Sequence, residues 1–258
     1  LGRMRRRILI LLAVLGPGII TMVADNDAGG ISTYSVTGSN YGFNLLWVIL
    51  ILVPMAYYVQ EMTVRLGAVT KRGHAEAIFD AFGSFWGWFS LTDLTLTDWL
   101  TTITEFIGMT AALSIFNIPP PITVIGAIIL TMAMILSGRY WTWEKIVLVF
   151  CVLNLIYIPA AFLVNPAVSG ILREGVIPGF PYGLNNLVFF FLMANVGTTI
   201  APWMIFFQQS AVVDKGLREK DISWERVDTA IGSCFTIAVG VFIIIVTGTL
   251  LRGVNIES

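Results

Sequence analysis

Two acidic residues lie inside the first long hydrophobic segment of the chain. Asp25 and Asp27 belong to the run Ala24-Asp25-Asn26-Asp27-Ala28-Gly29-Gly30, which interrupts an apolar stretch from about residue 8 to residue 39. An ionised carboxylate in mid-membrane is costly unless it is paired, hydrated or bound to a cation. The glycines allow the helix to unwind and turn carbonyl oxygens toward an ion. We therefore expect a cation-binding break, and the competing interpretation is a plain loop between two short helices.

A second interruption lies near the middle of the apolar segment 183–211. It contains Asn195 and the stretch Gly197-Thr198-Thr199-Ile200-Ala201-Pro202-Trp203. Pro202 has no N–H and therefore kinks or breaks a helix. Taken alone, this pattern fits an ordinary proline kink equally well. Paired with the first break, it is typical of inverted-repeat transporters, whose substrate site lies between two broken helices.

Further acidic residues occur in the third hydrophobic segment. Asp98, Thr102 and Glu105 share one helix face, which predicts a polar pathway through the membrane. Asp25 and Gln208 are further candidates for this pathway. The alternative for the acids is that each is neutralised by protonation or by a partner on another helix.

The histidine and the two cysteines predict no site. His74 lies beside Lys71 and Arg72, so we expect a solvated side chain, and without a second histidine it is a poor metal ligand. Cys151 and Cys234 lie in apolar runs and are expected to be buried free thiols.

The elements that must position these residues are hydrophobic helices. Of the 258 residues, 57% are apolar and 12% are charged, against about 25% charged in soluble domains. This composition argues against a nucleic-acid partner, and no nucleophile–base pair or phosphate-binding loop indicates an enzyme. Because a span needs about 20 apolar residues, seven segments are predicted, at residues 8–39, 43–66, 84–115, 121–138, 144–165, 183–211 and 226–251.

The positive charges predict the orientation. With a cytoplasmic N-terminus, Arg173 and Arg252 are outside and thirteen of the 15 Lys and Arg residues are inside, as the positive-inside rule requires. The thirteen are Arg3, Arg5, Arg6, Arg7, Arg65, Lys71, Arg72, Arg139, Lys145, Lys215, Arg218, Lys220 and Arg226. We expect an integral protein of the plasma or inner membrane, with the 165–182 connection as an external loop.

The two breaks lie five segments apart. This spacing predicts one transmembrane domain, 1–258, with a first five-helix repeat at 8–165 and the start of a second repeat at 183–251. The second repeat would need three further helices. We therefore expect an all-α inverted-repeat fold represented by its first seven transmembrane helices, as in a truncated chain.

Several of these stretches resemble the NRAMP divalent-metal transporters. Similar runs are Leu15-Gly16-Pro17-Gly18, 24–30, Tyr41-Gly42, Arg65-Leu66-Gly67, Glu105-Phe106-Ile107-Gly108 and 197–203. The resemblance is most specific at the two breaks. It implies the LeuT-type fold and import of a metal ion into the cytoplasm.

The departures from the family pattern bear on the ion. The family's Asp-Pro-Gly-Asn reads Asp27-Ala28-Gly29-Gly30 here, and its Met-Pro-His reads Ala201-Pro202-Trp203. Thr102 replaces an acid and Gln208 a second histidine. Without the thioether nothing soft lines the site, and Gly30 and Ala201 are expected to widen it. The pattern resembles the NRAMP-related magnesium transporters, which implies uptake of Mg²⁺, and also of Mn²⁺, without proton coupling.

Carried over by position, the resemblance implies Asp27 as the main carboxylate ligand. The backbone carbonyls of Ala24 and of Thr198 or Ala201 would supply further oxygens. Gly29, Gly30, Pro202 and Trp203 would shape the cavity, and Asp25 has no acidic counterpart in the family. The expected partners are the transported Mg²⁺ or Mn²⁺ and the lipid bilayer, with no resident cofactor, in a monomer.

Two other functions stay open. One is a proton-coupled Mn²⁺/Fe²⁺ transporter of the NRAMP type, with a proton path through Asp98 and Glu105. The missing histidines argue against it, because imidazoles titrate near neutral pH. The more distant alternative is an organic-solute transporter of the same fold, in which Asp27 would repel a substrate carboxylate.

Overall fold

The structure is a computed structural model that describes residues 16–138, 146, 149, 152–180 and 183–254. The described residues form helices and connecting turns without a strand. The first three α-helices are α1 (Pro17–Ala24), α2 (Ala28–Tyr41) and α3 (Leu46–Thr70), and the next three are α4 (His74–Phe82), α5 (Ser84–Ser114) and α6 (Pro120–Leu136). A 3₁₀ turn, Val152–Ile156, leads into α7 (Tyr157–Leu163) and α8 (Val168–Gly175). The last three are α9 (Asn186–Thr199), α10 (Pro202–Asp214) and α11 (Ile222–Leu250), with a 3₁₀ turn, Glu219–Asp221, before α11.

In the described parts of the chain, five predicted segments match helices within a few residues, namely 43–66, 84–115, 121–138, 183–211 and 226–251. Within the described residues, three stretches are long and apolar enough to cross a membrane, namely Leu46–Thr70, Asn186–Asp214 and Glu219–Leu250, and the predicted spans at α5 and α6 are not among them. A fourth would be the pair Val152–Leu163 and Val168–Gly175, which is bent by 112°. In the predicted fifth segment, the residues from 144 to 151 lie outside the described part of the chain, except for 146 and 149.

Both predicted helix breaks are present, and both are short. The first break consists of residues 25–27 between α1 and α2, so Gly29 and Gly30 lie in the first turn of α2. The second consists of Ile200 and Ala201 between α9 and α10. Unwinding is therefore confined to two or three residues in each segment.

The long helix α11 forms the core against which the first broken helix packs. Buried side chains from α1, α2, α3, α10 and α11 form one cluster that includes Met22, Tyr34, Ile49, Met204 and Ile244. Small residues allow the backbones to approach. A Cβ on Gly232 would lie 2.9 Å from the Gly18 carbonyl oxygen, and a Cβ on Gly18 would lie 2.8 Å from the Thr229 nitrogen. Such close contacts are typical of helix pairs in membranes.

The outer helices present apolar side chains to the surroundings. Trp86 and Trp88, at the start of α5, are 53% and 65% exposed, and Ile103, Ile107 and Ile128 of α5 and α6 are also exposed. This surface suits lipid or further protein rather than water.

Three local predictions need correction. The connection 165–182, predicted as a loop, contains α8, whose Glu174 forms an ion pair with Arg252 at 3.1 Å. Cys234 is a free thiol, but it is exposed rather than buried, because α11 turns it away from the core. Cys151 lies outside the described residues. The predicted segment 121–138 begins one residue too late, since Pro120 and Pro121 form the first turn of α6, where proline needs no N–H partner.

Candidate metal-ion site

The first break presents one carboxylate at the start of α2. Asp27 is the N-cap of α2, and its Oδ1 accepts a hydrogen bond of 2.7 Å from the Gly30 N–H. An acidic N-cap is favourable because the first N–H groups of a helix lack intrahelical acceptors. One carboxylate oxygen therefore anchors Asp27, and the other is available to a ligand.

Helix α5 supplies a second acid to the same place. Glu105 Oε1 accepts a hydrogen bond of 3.1 Å from the Ala28 N–H. One turn later, a Cβ on Gly108 would clash with the Ala28 methyl group, so only glycine allows this approach. Both ends of the Glu105–Gly108 motif thus contact Ala28 and fix α5 against the break.

The contact with Glu105 changes the backbone of α1. In a continuous helix the Ala28 N–H would bond to the Ala24 carbonyl. Here it donates to Glu105 instead, and the Ala24 carbonyl is left to other partners. The break thereby produces the backbone oxygen that the sequence predicts as a ligand.

An open cavity of about 400 Å³ lies between the first break, α5 and α10. Its lining consists of Ala24, Asp27, Asp98, Thr101, Thr102, Glu105 and Trp203. Six of these seven residues are predicted site residues, so the structure brings together the ligand candidates of α1 and α2 and the polar face of α5. Thr101 was missed, although it lies three residues from Asp98 and four from Glu105 on the same face.

The cavity is negative and contains only hard donors. Asp27, Asp98 and Glu105 surround it, whereas its described lining includes no methionine, cysteine or histidine. The N-terminus of α2 offsets part of this charge, and the remainder favours a cation. Within the described residues, no three His, Cys, Asp or Glu side chains converge closely enough to hold a metal ion by themselves. A bound ion would need backbone carbonyls or water in addition.

The second break frees a backbone oxygen by another route. In a continuous helix the Thr198 carbonyl would bond to the N–H of residue 202, but Pro202 has none. Ala201 is extended and half-buried at the start of α10. The second break lies next to the first one. A Cβ on Gly30, at the start of α2, would be 3.4 Å from Thr198 Oγ1.

Buried polar bonds hold α9 against α2. The Tyr34 hydroxyl lies 2.8 Å from Thr199 Oγ1, which itself donates to the Asn195 carbonyl at 2.7 Å. Asn195 Nδ2 donates to Thr37 Oγ1 at 2.9 Å. All four side chains are at most 1% exposed. Hydrogen bonds of this kind join helices where water is excluded.

Several predicted site residues lie away from the cavity lining. Asp25 is 2% exposed and turned into the protein, with no hydrogen-bond partner for Oδ2 among the described residues. Gly30 does not widen the cavity, because the Asp25 carbonyl oxygen would lie 2.8 Å from a Cβ at that position. Ala201 packs at the edge of the core. Gly29, Thr198 and Pro202 also adjoin the breaks without lining the cavity.

The two glutamines of α10 have structural partners. Gln208 is fully buried and donates to Thr229 of α11 at 3.1 Å, so it faces away from the α5 pathway. Gln209 donates to the Arg72 carbonyl at 2.9 Å, and its Oε1 lies 2.7 Å from His74 Nδ1. The expectation that His74 is solvated is wrong, since the side chain is half-buried between Gln209 and Phe206.

The helices and the cavity define a class: membrane proteins in which two broken helices meet at a polar site. Similar solved structures include a manganese transporter of Eremococcus coleocola in complex with an aromatic bis-isothiourea substituted compound. It matches with a TM-score of 0.79 and 24% identity, over 92% of this chain and 51% of that one. A mutant form of the Eremococcus coleocola transporter matches with a TM-score of 0.73 and 23% identity, over 93% of this chain and 52% of that one. This similarity confirms the predicted LeuT-type transporter fold.

The chain belongs to the Nramp family, the natural resistance-associated macrophage protein-like proteins, whose family model matches residues 18–258. A divalent metal cation transporter MntH of Caldanaerobacter subterraneus is 28% identical over 96% of this chain and 61% of its own length. An MntH protein of Staphylococcus aureus is 32% identical over 78% of this chain and 45% of its own length. The chain thus spans between about half and three fifths of these relatives.

Proposed function

We propose that this chain forms the ion-binding part of a divalent-metal transporter that carries Mg²⁺ and Mn²⁺. The observation that carries the proposal is the cavity of about 400 Å³ in which Asp27 faces Asp98 and Glu105 with only oxygen donors for an ion. Membership of the Nramp family, and relatives described as divalent metal cation transporters, support metal as the substrate class.

The donor types favour a hard cation. Mg²⁺ binds carboxylates, carbonyls and water, and soft thioether or imidazole donors are what select later transition metals. The Ala24 carbonyl and the Asp27 carboxylate suit Mg²⁺ and also Mn²⁺. Ala201 and Trp203 stand where the family has a methionine and a histidine, so the two positions that would favour softer ions contribute no such donor.

The size of the cavity favours an ion that keeps water. Six waters occupy roughly 180 Å³ at about 30 Å³ each, and the cavity measures about 400 Å³. Mg²⁺ dehydrates reluctantly and usually retains several waters. We propose that Asp27 holds the ion directly or through water, with carbonyls of Ala24 and Thr198 completing the site. Ala201 then contributes little besides space.

Proton-coupled Mn²⁺ transport is the second candidate. Asp98 and Glu105 line the same cavity as Asp27, so a proton carried by either acid would meet the ion there. The manganese transporter structures match this fold. Against it, the described lining residues include no histidine, which removes the side chain best suited to titrate near pH 7. We propose uncoupled transport as the primary function.

The remaining expectations concern the assembly in the membrane. We propose that the N-terminus is cytoplasmic, because thirteen of the 15 Lys and Arg residues are then inside. We further propose that 8–165 is the first inverted repeat and 183–251 the start of the second within one domain, as the equivalent breaks in α1–α2 and α9–α10 suggest. The protein would act as a monomer in the plasma or inner membrane.

The test is uptake into proteoliposomes with internal pH recorded in parallel. We expect Mg²⁺ and Mn²⁺ to enter without internal acidification. Uptake of Mn²⁺ with exclusion of Mg²⁺ would refute the Mg²⁺ proposal, and stoichiometric proton entry would favour the second candidate. Asp93→Asn is the matched control for Asp27→Asn, because Asp93 is an exposed acid on α5 that does not line the cavity.

A further inference from the structure

Glu225 is a buried acid outside the cavity described above. It lies in the first turn of α11 and is 1% exposed. Neither of its carboxylate oxygens has a hydrogen-bond partner among the described residues. A buried carboxylate without partners is strongly destabilising unless it is protonated or bound to a cation, so this position is a candidate for a bound cation.

Two further buried side chains with oxygen donors belong to the start of α11 or bond to it. Asp228 follows it by three residues on the same face of α11 and is fully buried. Gln208 of α10 donates its amide to Thr229, one turn from Glu225 on that face. The Gln208 Oε1 is buried and also has no partner in the described part of the chain. Carboxylate and amide oxygens from two helices thus gather around Thr229.

The charges around Glu225 are predominantly negative. The groups that act on it electrostatically are Asp228 and Asp221, with Lys215 as the opposing cation. Arg226 is directed to the other side of α11, where it pairs with Glu61 at 2.7 Å. Among the described residues that act on this position, three carboxylates against one ammonium leave a formal excess of two negative charges. Part of the Asp228 charge is offset by the N–H groups of Gly16 and Gly18 at the start of α1.

We propose that Glu225, Asp228 and Gln208 form a second divalent-cation site, separate from the Asp27 cavity. Its donors are hard oxygens, as Mg²⁺ and Mn²⁺ prefer, and water completes the coordination. None of the three residues lines the Asp27 cavity. With the N-terminus inside, the site faces the cytoplasm, so the occupant is a divalent ion from that side.

The site would connect three elements of the bundle. Gln208 belongs to α10 and Glu225 to α11, and Asp228 accepts a hydrogen bond of 2.7 Å from the Gly18 N–H of α1. A cation shared by these side chains therefore stabilises α1 against α11. Occupancy should raise the melting temperature of the protein even when the Asp27 site is disabled, because binding to the folded state alone is stabilising.

Mn²⁺ is a suitable probe, because its free concentration can be measured by electron paramagnetic resonance. In purified protein carrying Asp27→Ala, we expect one Mn²⁺ to remain bound per chain. Adding Glu225→Gln should weaken this binding at least roughly 10-fold, the loss typical of a disturbed metal shell. Adding Glu219→Gln instead should leave it unchanged, because Glu219 is an exposed acid of the 3₁₀ turn that precedes α11.

Gln208→Leu provides a second variant that leaves the charges intact. In the Asp27→Ala background it should weaken Mn²⁺ binding several-fold and reduce the Mn²⁺-induced rise in melting temperature. The proposal is overturned if folded Asp27→Ala protein binds no Mn²⁺, or if Glu225→Gln leaves binding unchanged. Failure of the Asp27 site is a separate result. In that case Asp27→Ala retains every ion that the wild type binds, and Glu225→Gln still removes one.

Discussion

The two helix breaks free backbone oxygens in different ways. At the first break, the Ala28 N–H donates to Glu105 rather than to the Ala24 carbonyl. At the second, Pro202 has no N–H to offer the Thr198 carbonyl. The first break therefore depends on a side-chain contact with α5, whereas the second is fixed by the covalent structure of proline. The comparison indicates that the first break is the one whose geometry can respond to an ion.

The breaks also differ in charge and in support. The first presents Asp27 to an open cavity, with Asp98 and Glu105 facing it. The second, formed by Ile200 and Ala201, carries no ionisable side chain, and the buried bond between Thr199 and Tyr34 holds it to α2. Each break leaves a backbone carbonyl without its usual helical donor, but only the first break adds a carboxylate. We infer that the first break supplies the charged ligand and that the second contributes only a backbone oxygen.

The largest expected effect follows from removing the Asp27 charge alone. Asn is as good an N-cap as Asp, so Asp27→Asn should retain the bond to Gly30 and the stability of α2. Ion affinity should fall roughly 100-fold or more, because a charged ligand is lost. Mn²⁺ binding and thermal unfolding measure the two effects separately. If the loss of ion affinity is no larger than the loss of stability accounts for, Asp27 acts only as a helix cap.

Glu105 tests whether the first break depends on α5. Glu105→Ala should return the Ala28 N–H to the Ala24 carbonyl and weaken ion binding about 10-fold, within the range for residues that orient metal ligands. Glu105→Gln keeps an acceptor for the Ala28 N–H, so it should reduce ion affinity less than Glu105→Ala does. Mn²⁺ titration of both variants measures the difference. If Gln and Ala are equally damaging, charge rather than the hydrogen bond is what matters.

Thr199 tests the support of the second break. Thr199→Val leaves the buried Tyr34 hydroxyl without this partner and should cost about 1–3 kcal/mol of stability. Ion affinity should change much less than stability, because Thr199 does not line the cavity. Thermal unfolding with Thr95→Val as control is the measurement, since Thr95 is exposed on α5. A large loss of ion affinity with normal stability would show that the Thr199 side chain itself contributes to ion binding.

Ala201 should show the smallest effect. Ala201→Met returns a thioether to the second break, and Cd²⁺ should then gain a few-fold over Mg²⁺, because soft donors favour soft ions. Ala201→Leu adds similar bulk without sulfur and is the matched control. Displacement of bound Mn²⁺ by Cd²⁺ and by Mg²⁺ gives the ratio of their two affinities. If the leucine variant shows the same shift, volume rather than donor type sets the preference.

The sequence predicts the breaks well because their causes are local. Proline, glycine and acids inside apolar runs are visible without a structure, and so is the shared face of Asp98, Thr102 and Glu105. Thr101 could have been included by the same helical spacing. The fold class and the family resemblance also followed from residues alone, because the broken segments carry the most specific motifs.

Side-chain directions near the breaks were less predictable. Asp25 and Asp27 are two residues apart, and the backbone angles of the break, which the sequence does not specify, turn one inward and the other to the cavity. Gly30 creates no space because the Asp25 carbonyl occupies it. The direction of the Gln208 side chain depends on its bond to Thr229, and that of His74 on its contact with Gln209. Both partners are remote in sequence.

The most direct test of the central claim is competition between Mg²⁺ and Mn²⁺ for the Asp27 site. Mn²⁺ binding would be measured in wild-type protein and in Asp27→Asn, with Glu225→Gln in both to exclude the second site. We expect millimolar Mg²⁺ to displace Mn²⁺ from the Asp27-containing protein, and the Asp27→Asn protein to bind neither ion. Mn²⁺ binding that resists Mg²⁺, or that survives Asp27→Asn, would contradict a hard-cation site at the first break.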